Sequence, residues 1–152
     1  MIEGKLESIH IAAAAKAPMQ EVGEVRAVPD AGLEGDRYFL QQGTFYKPEP
    51  DFQLTLIESE AIDAVARDYE IKLQPGDPRR NLVTRGVALN HLVGKEFQVG
   101  EVRVRGIRLC EPCSHLEALL GQKIIHPLLH RAGLRAAILS EGTIRAGDSI
   151  RG

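Results

Sequence analysis

Short alternations of apolar and polar residues dominate the chain, and helical periods are few. Residues Leu6 to Ala13 alternate enough for a first strand, and Val22, Val25 and Val28 around Glu24 and Arg26 predict a second over 22–28. Pro29-Asp30-Ala31-Gly32 breaks that strand. The segment Gly32 to Tyr38 follows as a loop whose glycines relax the backbone and present Asp36 and Arg37 at its edge, most plainly as a solvated ion pair in a tight turn. Residues Gln41 to Asp51, with Gly43, Pro48 and Pro50, read as an irregular loop leading to a strand over Phe52 to Ile57. One clear helix comes next: Ile62, Val65, Ala66 and Tyr69 fall at i, i+3, i+4 and i+7, and Ser59 stands where a cap would be.

Gln74-Pro75-Gly76-Asp77-Pro78 ends that unit. Arg79-Arg80-Asn81 leads into Leu82-Val83 and Thr84-Arg85-Gly86, which places three arginines and an amide within seven residues. Val87 to Val93 predicts one or two helical turns stopped by Gly94. Phe97 to Val99 and Val102 to Arg105 then form a hairpin about Gly100-Glu101, with its arginines on one face. Leu116, Leu119 and Leu120 mark a short helix ended by Gly121, Pro127 to Arg131 another ended by Gly133, and Leu134 to Leu139 and Thr143 to Ile150 two closing strands. Many strands at close spacing with too few helices to alternate between them predict a mainly β, barrel-like fold with a few short helices, as a single domain over residues 1–152.

A formal net charge of −2 argues against a general nucleic-acid binder or a binder of anionic membranes, so an anionic ligand would need a local arginine cluster. No apolar run approaches the roughly 18 residues a membrane span requires, and Met1 to Lys5 does not open a leader sequence, so a cytoplasmic location is expected.

The chemistry concentrates in Cys110-Glu111-Pro112-Cys113, which holds both cysteines where a strand pattern gives way to a helical one. Sulfur transfer, soft-metal ligation and thiol redox chemistry all need a thiolate. Cys110, Cys113, His126 and His130 match a C-x2-C-x12-H-x3-H zinc spacing, but Pro127 separates the histidines and the core positions of a finger carry Glu117 and Lys123. A thiol-disulfide exchanger would suit the proline before Cys113, yet the βαβ units of such folds are missing. The remaining reading makes both cysteines small buried hydrophobes.

In order along nearly the whole chain, Gly32-Leu33-x-Gly35-Asp36-Arg37, Leu54-Thr55-Leu56-Ile57-Glu58, Arg79-Arg80-Asn81-Leu82-Val83-Thr84-Arg85-Gly86, Leu92-Val93-Gly94-Lys95-x-Phe97-x-Val99-Gly100, Cys110-Glu111-Pro112-Cys113 and Gly133-Leu134-Arg135-Ala136 resemble the MOSC family. That is the domain found at the carboxyl terminus of molybdenum cofactor sulfurase.

The resemblance implies a barrel-like domain that binds the molybdenum cofactor (molybdopterin) and uses one cysteine to carry a sulfane sulfur or to ligate molybdenum. It puts that role on Cys113, with Cys110 as a partner or resolving thiol. It assigns Arg79, Arg80 and Asn81 to phosphate and pterin contacts, Thr84 and Arg85 to their periphery, and Asp36 and Arg37 to the pocket or its loop. His115 is a candidate to share a proton near the sulfur. With no aminotransferase-like domain, no pyridoxal phosphate is expected, and a separate cysteine desulfurase or molybdoenzyme would be the partner. Two alternatives stay open: a complete molybdenum-dependent reductase of N-hydroxylated compounds, and a zinc-stabilised or thiol-redox protein without molybdenum.

Overall fold

The computed structural model describes residues 3–44 and 46–152. Seven strands close a barrel: β1 (Glu3–Ile11), β5 (Leu54–Glu58), β6 (Leu82–Arg85), β7 (Glu96–Val99), β8 (Val102–Leu109), β9 (Leu134–Ile138) and β11 (Ser149–Arg151), in the order β11-β7-β8-β9-β5-β6-β1, shut by pairing of β11 with the start of β1. All pairs are antiparallel except β5 with β6, whose crossover carries the helix α1 (Ser59–Tyr69). β2 (Gln20–Val22) extends the sheet on the far half of β1, and β3 (Glu24–Val28), β4 (Gly32–Leu33) and β10 (Gly142–Arg145) form a second, three-stranded sheet.

The expected 22–28 strand is therefore cut at Gly23, whose carbonyl accepts a hydrogen bond from Ala146 and lets the two halves serve different sheets. The last predicted strand divides likewise, at Ala146-Gly147-Asp148, where Gly147 and Asp148 bond back to Leu6. Alternation does its work inside the barrel. Leu6, Ile9, Leu54, Leu56, Leu82, Phe97, Val99, Val102, Val104 and Leu134 point inward and are essentially excluded from water. Ile57 and Val83, on the outward face, pack beneath Ile62 and Val65 of α1 and beneath α2 (Ser114–Leu120) and α3 (Ile125–Leu128), through Leu116, Ile124 and Leu128. At roughly 2 kcal/mol for each large side chain fully withdrawn from water, these two clusters supply the main driving force for folding.

Three local expectations change. Ser59 does not cap α1: the residue preceding the helix is Glu58, which makes no side-chain cap, and the Ser59 hydroxyl faces Glu60 instead. Tyr69 ends the apolar stripe at an exposed position. The loop expected over 41–51 closes with a 3-10 turn, Pro50–Phe52, and its Phe45, like Met1 and Ile2, lies outside the described residues. No helix among the described residues is long and apolar enough to cross a membrane.

Candidate functional site

Strand β8 leaves the barrel at Leu109, and the chain then runs without regular structure through Cys110 to Cys113 before α2 begins. The Cys110 amide donates to the Gly133 carbonyl at 2.8 Å, which ties the segment to the entrance of β9. Cys110 is buried, and Cys113 is half-buried, at the position preceding the first residue of α2. Both cysteines belong to the lining of a cleft of about 70 Å³ that is also lined by Arg37, Tyr38, Arg79, Arg80 and Arg135.

Arg80 donates through Nε to the carbonyl of Ala132 (2.8 Å), through Nη1 to that of Pro78 (3.1 Å), and through Nη2 to those of Cys110 (3.1 Å) and Glu111 (3.4 Å). Carbonyl dipoles orient this guanidinium but do not cancel its charge. Arg79 adopts a left-handed backbone conformation, φ 62°, unusual for a residue with a side chain and typical of strained functional positions. Its Nη1 donates to Ala17 at 2.7 Å, and its carbonyl accepts from Arg37 at 3.0 Å. Burial, and then the charge of Arg37, hold the Arg79 guanidinium below the ordinary arginine value, though it stays a cation.

Arg37 and Arg135 are braced on aromatic faces. The Arg37 guanidinium lies 4.8 Å from the centre of the Tyr38 ring, that of Arg135 5.0 Å from the centre of Phe52, and the two rings meet edge to face. Burial lowers the pKa of Arg135, but the Cys110 thiol, Tyr38 and Asp51 outweigh it and the net shift is upward. Its Nε is buried without a hydrogen-bond partner among the described residues, which leaves a donor that a water or a ligand can satisfy.

The acidic groups nearest this cluster, among them Glu111 in the cleft lining, are engaged by other partners. Asp36 is fully buried, not solvated: its carboxylate accepts from Ala12 (3.1 Å) and Tyr38 (3.3 Å) backbone amides and pairs with Arg37 at 3.1 Å, so it fixes the loop and does not line the cleft. Glu111 points to His130, accepting from its amide at 2.7 Å and lying 2.6 Å from its Nδ1. Arg79, Arg80 and Arg135 have no carboxylate partner among the described residues.

Other residues of the expected site sit elsewhere. Asn81 is fully buried: its Oδ1 accepts from the Thr55 amide and hydroxyl, both at 3.1 Å, and its Nδ2 donates to the His10 carbonyl at 3.1 Å, so its amide is engaged inside the protein and does not line the cleft. Thr84 is buried with its hydroxyl toward the Ile57 carbonyl. Arg85, at the other end of β6, pairs with Glu7 and Asp63 on the surface. The zinc spacing does not converge either. His126 meets Tyr69 edge to face, His130 holds Glu111, and no group of three metal-ligating side chains exists among the described residues. His115 lines the cleft. Arg135 joins the site although the sequence marks it only as part of the Gly133-Leu134-Arg135-Ala136 run, because its place in the cleft depends on the pairing of β9 with β8.

A second cavity, of about 480 Å³, adjoins the first. Lys16 and Arg79 belong to both, and the larger is completed by His10, Pro18, Met19, Glu21, Gly76, Leu119 and Leu120 among others.

The fold is a closed β-barrel, and it brings a half-buried cysteine and several arginines to the lining of one cleft. The chain belongs to the MOSC domain family, whose model matches residues 41–151, and that family is associated with molybdenum cofactor-related proteins. Among solved structures it is similar to YuaD from Bacillus subtilis (TM-score 0.82, 16% identity, covering 98% of this chain and 94% of that one). It is also similar to YiiM from Geobacillus stearothermophilus (TM-score 0.73, 16% identity, 97% and 74% covered) and to YiiM from Escherichia coli (TM-score 0.69, 20% identity, 97% and 68% covered). At these identities the likeness is one of fold. No curated protein matches the sequence.

Proposed function

We propose that this chain binds the molybdenum cofactor and serves as a sulfur-carrier or cofactor-handling module through Cys113. The observation that carries this reading is the unpartnered Nε of Arg135, in a cleft that Arg79, Arg80 and Cys113 also line and whose acidic lining residue, Glu111, is engaged by His130. Such a site favours an anion bearing a thiophilic centre. The cofactor is too large for the cysteine cleft alone, since ligand pockets run from about 300 Å³ upward. The adjoining cavity, joined to it at Lys16 and Arg79, supplies the room.

When bound, the group supplies a soft, high-valent metal suited to thiolate ligation and sulfur chemistry. Cys113 would be its protein ligand, which needs no cluster of three side chains. Lys16, Arg79 and Arg135 would hold the phosphate, and Arg80 would hold the cysteine loop in place. As a carrier, Cys113 attacks the outer sulfur of a persulfide on a separate cysteine desulfurase; the donor thiolate leaves, and the sulfane sulfur passes with no net redox change.

The test is to express the chain in a host that makes the cofactor and to measure bound molybdenum and pterin, with mass spectrometry of Cys113 after incubation with a persulfide donor. Stoichiometric pterin with molybdenum, or one added sulfur on Cys113, is expected, and the Cys113→Ser variant should lose both while staying folded. Stoichiometric zinc, with neither pterin nor persulfide, would overturn the reading.

A further inference from the structure

The floor of the larger cavity contains a histidine that the thiol chemistry does not use. His10 lies on β1 beyond the irregularity in pairing between Leu6 and Ser8, which turns Ser8 and His10 to the outside of the barrel while Ile9 stays in the core. Its ring is almost wholly buried, and Nε2 is hydrogen-bonded to the Ser8 hydroxyl at 2.8 Å. Nδ1 has no hydrogen-bond partner among the described residues. Gly76 lies beside it: a Cβ built there would stand 3.0 Å from Nδ1 and 3.5 Å from Cε1, so a side chain at this position would crowd that nitrogen. Burial keeps the imidazole below the ordinary histidine value, against the opposing charge of Glu21, so at neutral pH it is an uncharged ring with one nitrogen to offer.

The rest of the chamber divides by chemistry. Pro18, Met19, Pro75, Leu119 and Leu120 supply apolar surface, Glu21, Gln74 and Asp77 add polar and acidic groups, and Lys16 and Arg79 are shared with the cysteine cleft. Apolar walls suit the faces of a flat ring, the two cations suit a phosphate at its end, and a neutral imidazole suits a polar ring edge.

Resting on the cofactor reading above, we infer that the larger cavity is the ring chamber of the site and that His10, kept open by Gly76, is a specificity-determining residue that reads the polar pyrimidine edge of the bound pterin. Nδ1 donates if Nε2 accepts from Ser8, and accepts if Nε2 donates. Either state tells an amino-bearing edge from an oxo-bearing one, because the wrong group leaves a buried polar atom unpaired.

A pterin carrying a side-chain monophosphate serves as the probe, with the matching lumazine monophosphate, in which oxygen replaces the exocyclic amine, as its control. Both are titrated by fluorescence into the full chain. Wild type should prefer one ring over the other by roughly tenfold or more. His10→Phe and Gly76→Val should bring the ratio near one while binding stays dependent on the phosphate. Should His10→Phe fail to fold, Gly76→Val, which leaves the histidine in place but covered, decides alongside His10→Gln. Wild-type binding without discrimination, or variants that keep the ratio, would overturn the role of His10 and leave the cofactor reading intact. Binding of neither ring by wild type would overturn both.

Discussion

Arg80 and Cys110 stand thirty positions apart in the chain, and the guanidinium of one donates to the carbonyl of the other at 3.1 Å. The same fork reaches Glu111, Pro78 and Ala132, so one buried cation joins the entrance of β6, the cysteine segment and the turn before β9. A lysine cannot reproduce this, because a single ammonium lacks the planar spread of donors.

Replacing Arg80 by alanine or lysine is therefore expected to cost about 3 kcal/mol of stability, as several carbonyls lose charge-assisted partners together. Thiol alkylation gives the sharper readout. In the wild type Cys113 should react and Cys110 should stay protected until global unfolding; in Arg80→Lys both should react under native conditions. Unchanged protection of Cys110 would show that the segment is held by other contacts.

Asn81 makes the opposite case. It follows two arginines that border the site, yet its amide is spent on Thr55 and His10 inside the protein. Asn81→Ala should lower stability by about 2 kcal/mol in urea denaturation, since it leaves the Thr55 amide and His10 carbonyl unsatisfied, with no direct loss of ligand affinity in the folded fraction. A large fall in pterin binding at unchanged stability would return Asn81 to the ligand.

The contrast between these neighbours explains what could be seen from sequence. Local periods revealed the barrel strands, the helix α1, and the hairpin in which Val99 faces Val102 across Gly100-Glu101, because burial on one side of a strand writes a period of two into the residues themselves. An Arg-Arg-Asn run carries no such signature. Successive residues on extended chain point to opposite sides, and the left-handed turn at Arg79 rearranges them again. Convergence of Arg79, Arg80 and Arg135 on Cys113 comes from barrel closure, which no local pattern records. The pairing of Arg37 with a buried Asp36 is likewise tertiary, since adjacent charges in a glycine-flanked loop read as solvated.

Gly133 is the position where the cysteine segment depends most on the absence of a side chain. Its φ is 121°, and a Cβ there would collide with the carbonyl oxygen of Leu56 on β5, while its own carbonyl accepts from Cys110. Gly133→Ala meets both a backbone penalty and a clash with main chain that cannot swing aside. A loss of about 3 kcal/mol or more is expected, or failure to fold, read by thermal melting. Gly121→Ala, at a helix end with open space around it, should cost only about 1 kcal/mol for its left-handed φ of 64°.

His10 sets a pH dependence whose sign follows from burial. Burial holds its native pKa below the ordinary histidine value of 6.5, and Glu21 opposes that shift without reversing it. As the pH falls through 6.5 the unfolded chain takes up a proton before the native chain does, so protonation draws the equilibrium toward unfolding. The stability tied to the neutral imidazole is thus fully present above 6.5 and declines below it, until the native ring also titrates. Urea midpoints measured from pH 7.5 down to 5 should fall for the wild type, and more shallowly for His10→Gln, which carries no titrating ring. The larger difference between the two proteins should appear at the acid end of that range. Parallel curves would mean that His10 gains its proton equally in both states, and that the cavity floor is wetter than its burial implies.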